Sequence, residues 1–432
     1  MGRGSAANER VKRLRHVAAS LNELARDRFD PGPLIVVYGD PADPVYDSYE
    51  ACQQALQEIE AAADHLEEPR RRTLVREMAR ALSTFAREGA GEALSYANRV
   101  EAYAGVPGVP VAAAIVQAMQ RTVSAKLARL GYGGPIQDAL GEWRSSQRID
   151  PSELEERIDQ WVEESRALAD ERIVKLPAGC SLKTELVHGV FFQGYSEYHG
   201  RYRGTVRVNA DLPWTEAGLK ALIAHEGYAG HFLLSVVSEE RARQGRLAPE
   251  SSFYFANTPT WPIIEGTCNI GLHLLGWFRD THDEIQEVLS RLRSALLINI
   301  AFLRHEQRAG DDEIFAVFCQ GGFYSWEQAE QALRFIDHPL FHPSIPAYWH
   351  GTREALDALH VGSRMTFQAD VVEQLYCRTH TCATLRAWMA VRCGLEEHAS
   401  TGQAHAYRGD QGSEVGPSGA GVSAMTLRRQ SG

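Results

Sequence analysis

The sequence predicts a predominantly α-helical α+β protein, and three observations carry that prediction. From Arg10 to about Arg172 the chain is dominated by Ala, Leu, Glu and Arg, with apolar residues recurring at helical spacing. The texture changes near Pro177, where residues 181–209 are rich in β-branched and aromatic side chains broken by glycines, the pattern of two or three strands. Helical periodicity returns after Pro213 and persists to about residue 392.

Residues 1–10 read as a flexible lead-in and 11–175 as an N-terminal helical region. Within that region Gly105 to Pro110 punctuates the helices. Asp150-Pro151-Ser152 is a helix-start signal, followed by an apolar stripe of Leu154, Ile158, Trp161 and Val162. Residues 176–396 form the second region. In its last expected strand Thr205, Arg207 and Asn209 point one way and Val206 and Val208 the other, giving one polar face. Thr215 is placed to cap the next helix, which carries an apolar stripe of Leu219, Leu222 and Ile223. Further helices are expected over 262–276, 282–305, 310–319, 325–335, 346–360 and 367–392. Residues 397–432 are Gly/Ser-rich with few large apolar groups, the composition of a disordered tail.

Composition narrows the function classes. With 432 residues, 44% of them apolar and 23% charged, the chain can bury a sizeable core in about two or three units. A net charge of −11 repels phosphate backbones, so a nucleic-acid partner is not expected. The seven cysteines are scattered, with no C-x-x-C pair, which predicts reduced thiols and neither a disulfide scaffold nor a thiolate zinc site. The longest apolar run, Ala295 to Leu303, is interrupted by Asn299 and falls far short of the roughly 20 residues of a membrane span. The basic N-terminus lacks the apolar stretch of a secretory signal. A cytoplasmic protein with no membrane partner is the resulting expectation; oligomeric state is left open.

The segment that carries chemistry is Ala221 to Phe232, containing His225-Glu226-Gly227-Tyr228-Ala229-Gly230-His231. A His-Glu pair with a second His nearby on a helix is how zinc hydrolases hold their metal, with the glutamate taking a proton from water. The standard interval between the histidines is four residues; here it is six. On a straight helix the two rings would diverge by about 120° and sit roughly 9 Å apart along the axis. A break near Gly227 to Gly230 would be needed to reunite them. Without it, the two histidines are satisfied core or surface residues.

The segment resembles the signature H-E-x-x-P-G-H-H of a bacterial family of zinc metallopeptidase-like proteins, domain-of-unknown-function family 885 and its relatives, which are gluzincin-like. The chain keeps His225, Glu226, Gly230 and His231, but has Ala229 where the family prefers proline and Phe232 where it has a further histidine. The resemblance extends in order through Val208-Asn209, Thr258-Pro259 with Glu265-Gly266, and Asp337-His338-Pro339 followed by Tyr348 and Gly351. It implies a zincin-like catalytic region with a small sheet beside the metal-binding helix, and one zinc ion held by His225, His231 and Glu265. It further implies Glu226 as general base and Tyr348 as donor to the oxyanion, with His350, His342 and Tyr324 as alternatives. Asn209 would hold a substrate main chain unless it is a plain turn asparagine, and Asn269 would orient Glu265. Arg304, Arg334 and Arg353 would meet a substrate carboxylate unless they are solvated.

The expected activity is hydrolysis of an amide bond in a short peptide or peptide-like molecule. Two other readings use the same residues. Two histidines and a carboxylate also describe a non-haem Fe(II) oxygenase or oxidase site. The substitutions at Ala229 and Phe232 would also suit a metal-free binding protein, in which case the helix should run straight through Gly230.

Overall fold

The computed structural model describes residues 3–29 and 32–395, so the tail expected over 397–432 lies outside the described residues. The chain is mostly helical with two small sheets, which matches the predicted α+β class. It begins with α1 (Arg3–Val11), α2 (Arg13–Leu24), the short strand β1 (Leu34–Val37), α3 (Tyr49–Ala63) and α4 (Pro69–Gly89). Most of the residues read as a lead-in are therefore helical, because Ala7 and Val11 are buried against neighbouring elements. Then come α5 (Tyr96–Ala104), α6 (Ala113–Arg129), α7 (Ile136–Ser146) and α8 (Leu154–Arg172). Gly105 ends α5 in the left-handed conformation, as the glycine-proline punctuation predicts.

Three strands follow: β2 (Ser181–Val187), β3 (Gly194–Gly200) and β4 (Arg203–Asn209). β4 lies in the middle, parallel to β2 and antiparallel to β3. Its polar residues do not form an open face. Thr205 and Asn209 are buried with Val206 and Val208, while Arg207 pairs with Glu185 of β2 and Glu197 of β3. Next come α9 (Glu216–Glu226), capped by Thr215 at 3.1 Å from the Gly218 amide, then α10 (His231–Arg243) and β5 (Phe253–Phe255).

The last elements are α11 (Trp261–Asn269), α12 (Gly271–Leu274), α13 (Thr281–His305), α14 (Asp311–Cys319), α15 (Trp326–Ile336), α16 (Ile345–Arg364), α17 (Gln368–Cys377) and α18 (Cys382–Arg392). Two expected helices are thus each divided. The first separates at Ile270. The second separates before Thr381, whose capping box with Thr384 starts a new helix.

β1 and β5 pair antiparallel and were not foreseen, since three- and four-residue strands carry too little periodicity to stand out among helices. Their pairing joins α1–α4 to the chain after α10. One apolar core gathers α1–α4, β1 and β5 with Trp261, Phe341 and Ala347. The other takes in α5–α8 together with the β2–β4 sheet and α9–α18. α9 is anchored within it by a buried Lys220–Asp283 ion pair at 2.5 Å, with the Lys220 ammonium over the Trp277 ring.

Candidate metal centre

The helix that the histidine interval required to break does break. α9 ends at Glu226 and α10 starts at His231, with a tight turn between them. The Gly230 amide donates to the Gly227 carbonyl at 3.1 Å, and the Leu233 amide reaches the same oxygen at 3.3 Å. A Cβ at Gly230 would lie 1.5 Å from the His225 carbonyl oxygen, so the close approach requires glycine. The turn holds without the family's proline because the buried Tyr376 hydroxyl of α17 donates to the Ala229 carbonyl at 2.6 Å. Phe232 points away from the histidines into the core, against Tyr228 and Tyr198. The result is a pair of imidazoles with ring centres 5.0 Å apart and planes at 76°.

Glu265 reaches them from α11, which crosses α16 in backbone contact. A Cβ at Gly266 would sit 2.1 Å from the Gly351 carbonyl oxygen, and one at Gly351 would sit 1.6 Å from that of Pro262. The crossing places Glu265 and Tyr348 on the same side. Glu265 is 2% exposed; its Oε2 lies 3.4 Å from His225 Nε2 and its Oε1 3.5 Å from His231 Nε2.

Asn269 settles the His225 tautomer. Its Nδ2 donates to Thr352 Oγ1 at 2.9 Å, and that hydroxyl donates to the Tyr348 carbonyl at 2.6 Å. Asn269 Oδ1 therefore faces His225 Nδ1, at 3.0 Å, and accepts its proton. His225 Nε2 is left with a lone pair directed toward Glu265. Asn269 thus orients a histidine from behind and not Glu265, as had been expected.

These groups fit a cation. Glu265 Oε2 is buried with no hydrogen-bond partner, and it faces an imidazole nitrogen that is itself an acceptor. Separations of 3.4 and 3.5 Å match the roughly 3.3–3.4 Å edge of a tetrahedron of ligands about 2.0–2.1 Å from zinc. A further candidate donor, Cys268, shows no recognisable ligand pattern in the sequence. Cys268 lies three residues after Glu265 on the same face of α11, and its Sγ and a ring nitrogen of each histidine all lie within 4.8 Å of one another. A lone thiol carries no paired-cysteine signature; its spacing of three residues from Glu265 was the available signal.

The electrostatics are those of a tightly coupled cluster. Burial opposes ionisation of Glu265, but His231 holds its carboxyl well below the usual range. Burial likewise opposes protonation of His231, yet Cys268 and Glu265 push its pKa well above the ordinary imidazole value. Burial pushes the Cys268 thiol up to about 11. Glu265 is therefore the donor that is already charged, and Cys268 would have to lose a proton to bind.

His225, Glu226, His231, Glu265 and Tyr348 all line one cavity of about 690 Å³. Ile35, Val36 and Tyr38 from β1 and its flank, with Met78 of α4, line the same cavity. His225, Glu226 and Tyr348 also border a second cavity of about 320 Å³, so the cluster stands where the two meet. Glu226 is buried, with Oε1 3.9 Å from His225 Nε2. Burial raises the Tyr348 phenol well above its usual pKa, reinforced by the Glu265 and Glu226 carboxylates, so it remains a proton donor. Tyr254 was also missed: its hydroxyl is buried without a partner on the wall of the same cavity.

Other expected residues stand elsewhere. Asn209 lines neither cavity. Its side-chain amide donates to the carbonyls of Phe192 (3.1 Å) and Val190 (3.4 Å) and accepts from the Asp211 amide, so it ties a loop and has no donor left for substrate. That loop does carry Phe191 and Phe192 to the cavity wall. His342 bonds Arg99, the Tyr324 hydroxyl donates to the Arg293 carbonyl, and Arg304 pairs with Asp337 and Asp311.

No family model matches the chain, and neither does any curated protein. Among solved structures it is similar to one described as a "putative lipoprotein from Colwellia psychrerythraea". The two share 13% identity at a TM-score of 0.55, with 79% of this chain and 67% of the other covered. A second, described as a "putative lipoprotein of unknown function from Shewanella oneidensis", also shares 13% identity, at a TM-score of 0.50, with 79% of this chain and 72% of the other covered. At that identity the likeness is one of fold. It nevertheless corrects the expectation of a cytoplasmic protein, because both chains of this fold are described as lipoproteins. Buried thiols and a basic N-terminal composition do not determine a compartment. Among the described residues, no helix is long and apolar enough to cross a membrane.

Proposed function

We propose that the chain is a zinc-dependent hydrolase that cleaves an amide bond in a short peptide or peptide-like molecule. The single observation that carries this reading is the buried, unpartnered Glu265 Oε2 facing the lone pair of His225 Nε2. The ordered resemblance to the metallopeptidase-like family supports it, as does the helix break at Gly230, which is contrary to the straight passage a metal-free scaffold calls for.

His225, His231 and Glu265 would hold the ion, with Cys268 beside them. When bound, zinc lowers the pKa of a water molecule and polarises a carbonyl. The remaining work falls to side chains. Glu226 takes the proton from the attacking water as its oxygen bonds to the amide carbon, then delivers that proton to the nitrogen as the C–N bond breaks. Tyr348 donates a hydrogen bond to the developing oxyanion, with Tyr254 as the second donor within the cavity. A cavity of about 690 Å³ suits small substrates better than folded proteins.

Glu226→Gln tests the reading. The variant should retain zinc in wild-type stoichiometry and lose turnover of a short-peptide panel by about 10²–10⁴-fold. Full turnover in the variant refutes the base role, and metal analysis after purification under reducing conditions decides between zinc and iron.

A further inference from the structure

We propose a substrate class that rests on this hydrolase reading: Arg241, Arg246 and Arg378, which line the same 690 Å³ cavity as the metal centre, form a subsite for the C-terminal carboxylate of a short peptide.

Charge on the cavity wall is uneven. Its carboxylates are all engaged. Glu250 is gripped by Arg71 through two bonds of 2.5 and 2.9 Å, Glu197 is held by Arg207 at 2.5 Å, and Glu226 and Glu265 belong to the metal centre. Three arginines on the same wall, Arg241, Arg246 and Arg378, form no ion pair among the described residues, although the chain carries a net charge of −11. Arg246 and Arg378 are exposed and line the cavity. Arg241 is half-buried; its Nη2 donates to the Arg246 carbonyl at 3.1 Å, while its Nε is buried with no acceptor. A buried guanidinium N–H without an acceptor is costly, and a carboxylate is the group whose two oxygens match the guanidinium fork.

Distance sets the ligand's length. α10 runs along the cavity wall from His231 to Arg241, presenting Leu234, Ser235, Ser238 and Arg241 at +3, +4, +7 and +10. Ten residues of helix span about 15 Å. An extended peptide covers that in about four residues at roughly 3.3 Å each, and in fewer where the guanidinium leans toward the metal. A peptide anchored at Arg241 by its carboxylate therefore presents to Glu226 a bond about two to four residues from its C-terminus. Cleavage there releases a short C-terminal fragment, with water supplying the hydroxyl to one product and the proton to the other.

The test measures binding separately from hydrolysis. N-acetylated alanine peptides of three to six residues, each as free acid and as C-terminal amide, are titrated calorimetrically into zinc-loaded Glu226→Gln protein. The free acids should bind about 10- to 100-fold more tightly than the amides, and Arg241→Gln should abolish that preference. Arg378→Gln, an exposed change with little folding risk, should weaken it. Equal binding of acid and amide, or no binding of any peptide, overturns the subsite. Acid-dependent binding together with wild-type protein that cleaves no peptide upholds the subsite and overturns the hydrolase reading.

Discussion

Replacing Gly230 with alanine should uncouple the two histidines while leaving both in place. The new Cβ would sit 1.5 Å from the His225 carbonyl oxygen and 2.4 Å from its carbon. Non-bonded heavy atoms rest at about 3.5 Å, so the turn must open by about 2 Å. Zinc–nitrogen bonds are about 2.0–2.1 Å and tolerate roughly ±0.2 Å. A displacement ten times that tolerance withdraws one of the two imidazoles from the ion. Changes behind a ligand alone cost 10–100-fold in metal affinity, so moving the ligand itself should cost at least about 100-fold. The metal-free protein should lose about 1–3 kcal/mol to the strain. Competition with a chromophoric chelator measures the first effect, and thermal unfolding of metal-free protein the second. Gly141→Ala in α7 serves as control, because its Cβ would meet nothing within 4 Å. If Gly230→Ala binds one zinc with wild-type affinity, the turn does not assemble the site and the reasoning from close approach is wrong.

Glu265→Gln should lose metal, Cys268→Ser should retain it, and the Co(II)-loaded protein should show no thiolate charge-transfer band. Such a band, absent in Cys268→Ser, would instead assign the third position to the thiol. Tyr348→Phe should lower kcat by about 10- to 1000-fold with little change in KM, and an unchanged kcat would move the donor role to Tyr254. Acid should destabilise the fold through two buried histidines, His342 and His380, and the half-buried His350. Burial, aided by neighbouring cations, lowers His342 and His380 to about 3 and His350 to about 4. Their unfolded values lie near 6.5, so the unfolded chain binds more protons as pH falls. Stability is then complete above about pH 6.5 and declines toward pH 3–4, by at most about 1.4 kcal/mol per pH unit for each group. Urea midpoints measured across that range should show a shallower slope in His342→Gln; an unaltered slope would mean that His342 protonates freely in the folded state.

Much of the site was legible because its parts announce themselves locally. His225-Glu226 and the glycines before His231 are one short string, and a six-residue interval on a helix either means a break or means nothing. Glu265 and Tyr348 could be named only through their order in a resembling pattern, since a carboxylate near a helix start and a tyrosine within a helix have ordinary explanations. Asn209 shows the limit. Its place at the end of a strand was correctly read, but whether its amide met substrate or backbone depended on the path of residues 190–192. Tyr254 was hidden because a three-residue strand has no detectable period and its partner, β1, lies more than 200 residues earlier.

Read without coordinates, the sequence shows a mainly helical chain with strands between residues 181 and 209, and it places His225, Glu226 and His231 in one short glycine-broken string. Those are matters of spacing, and spacing survives unfolding. Tertiary structure alone decided that Cys268 stands beside both imidazoles, that Asn269 sets a tautomer, and that three arginines on one cavity wall lack carboxylate partners. Each of these depends on helices crossing at glycines or on which charges find one another across the fold. Such pairings join residues distant along the chain, and no local pattern encodes them.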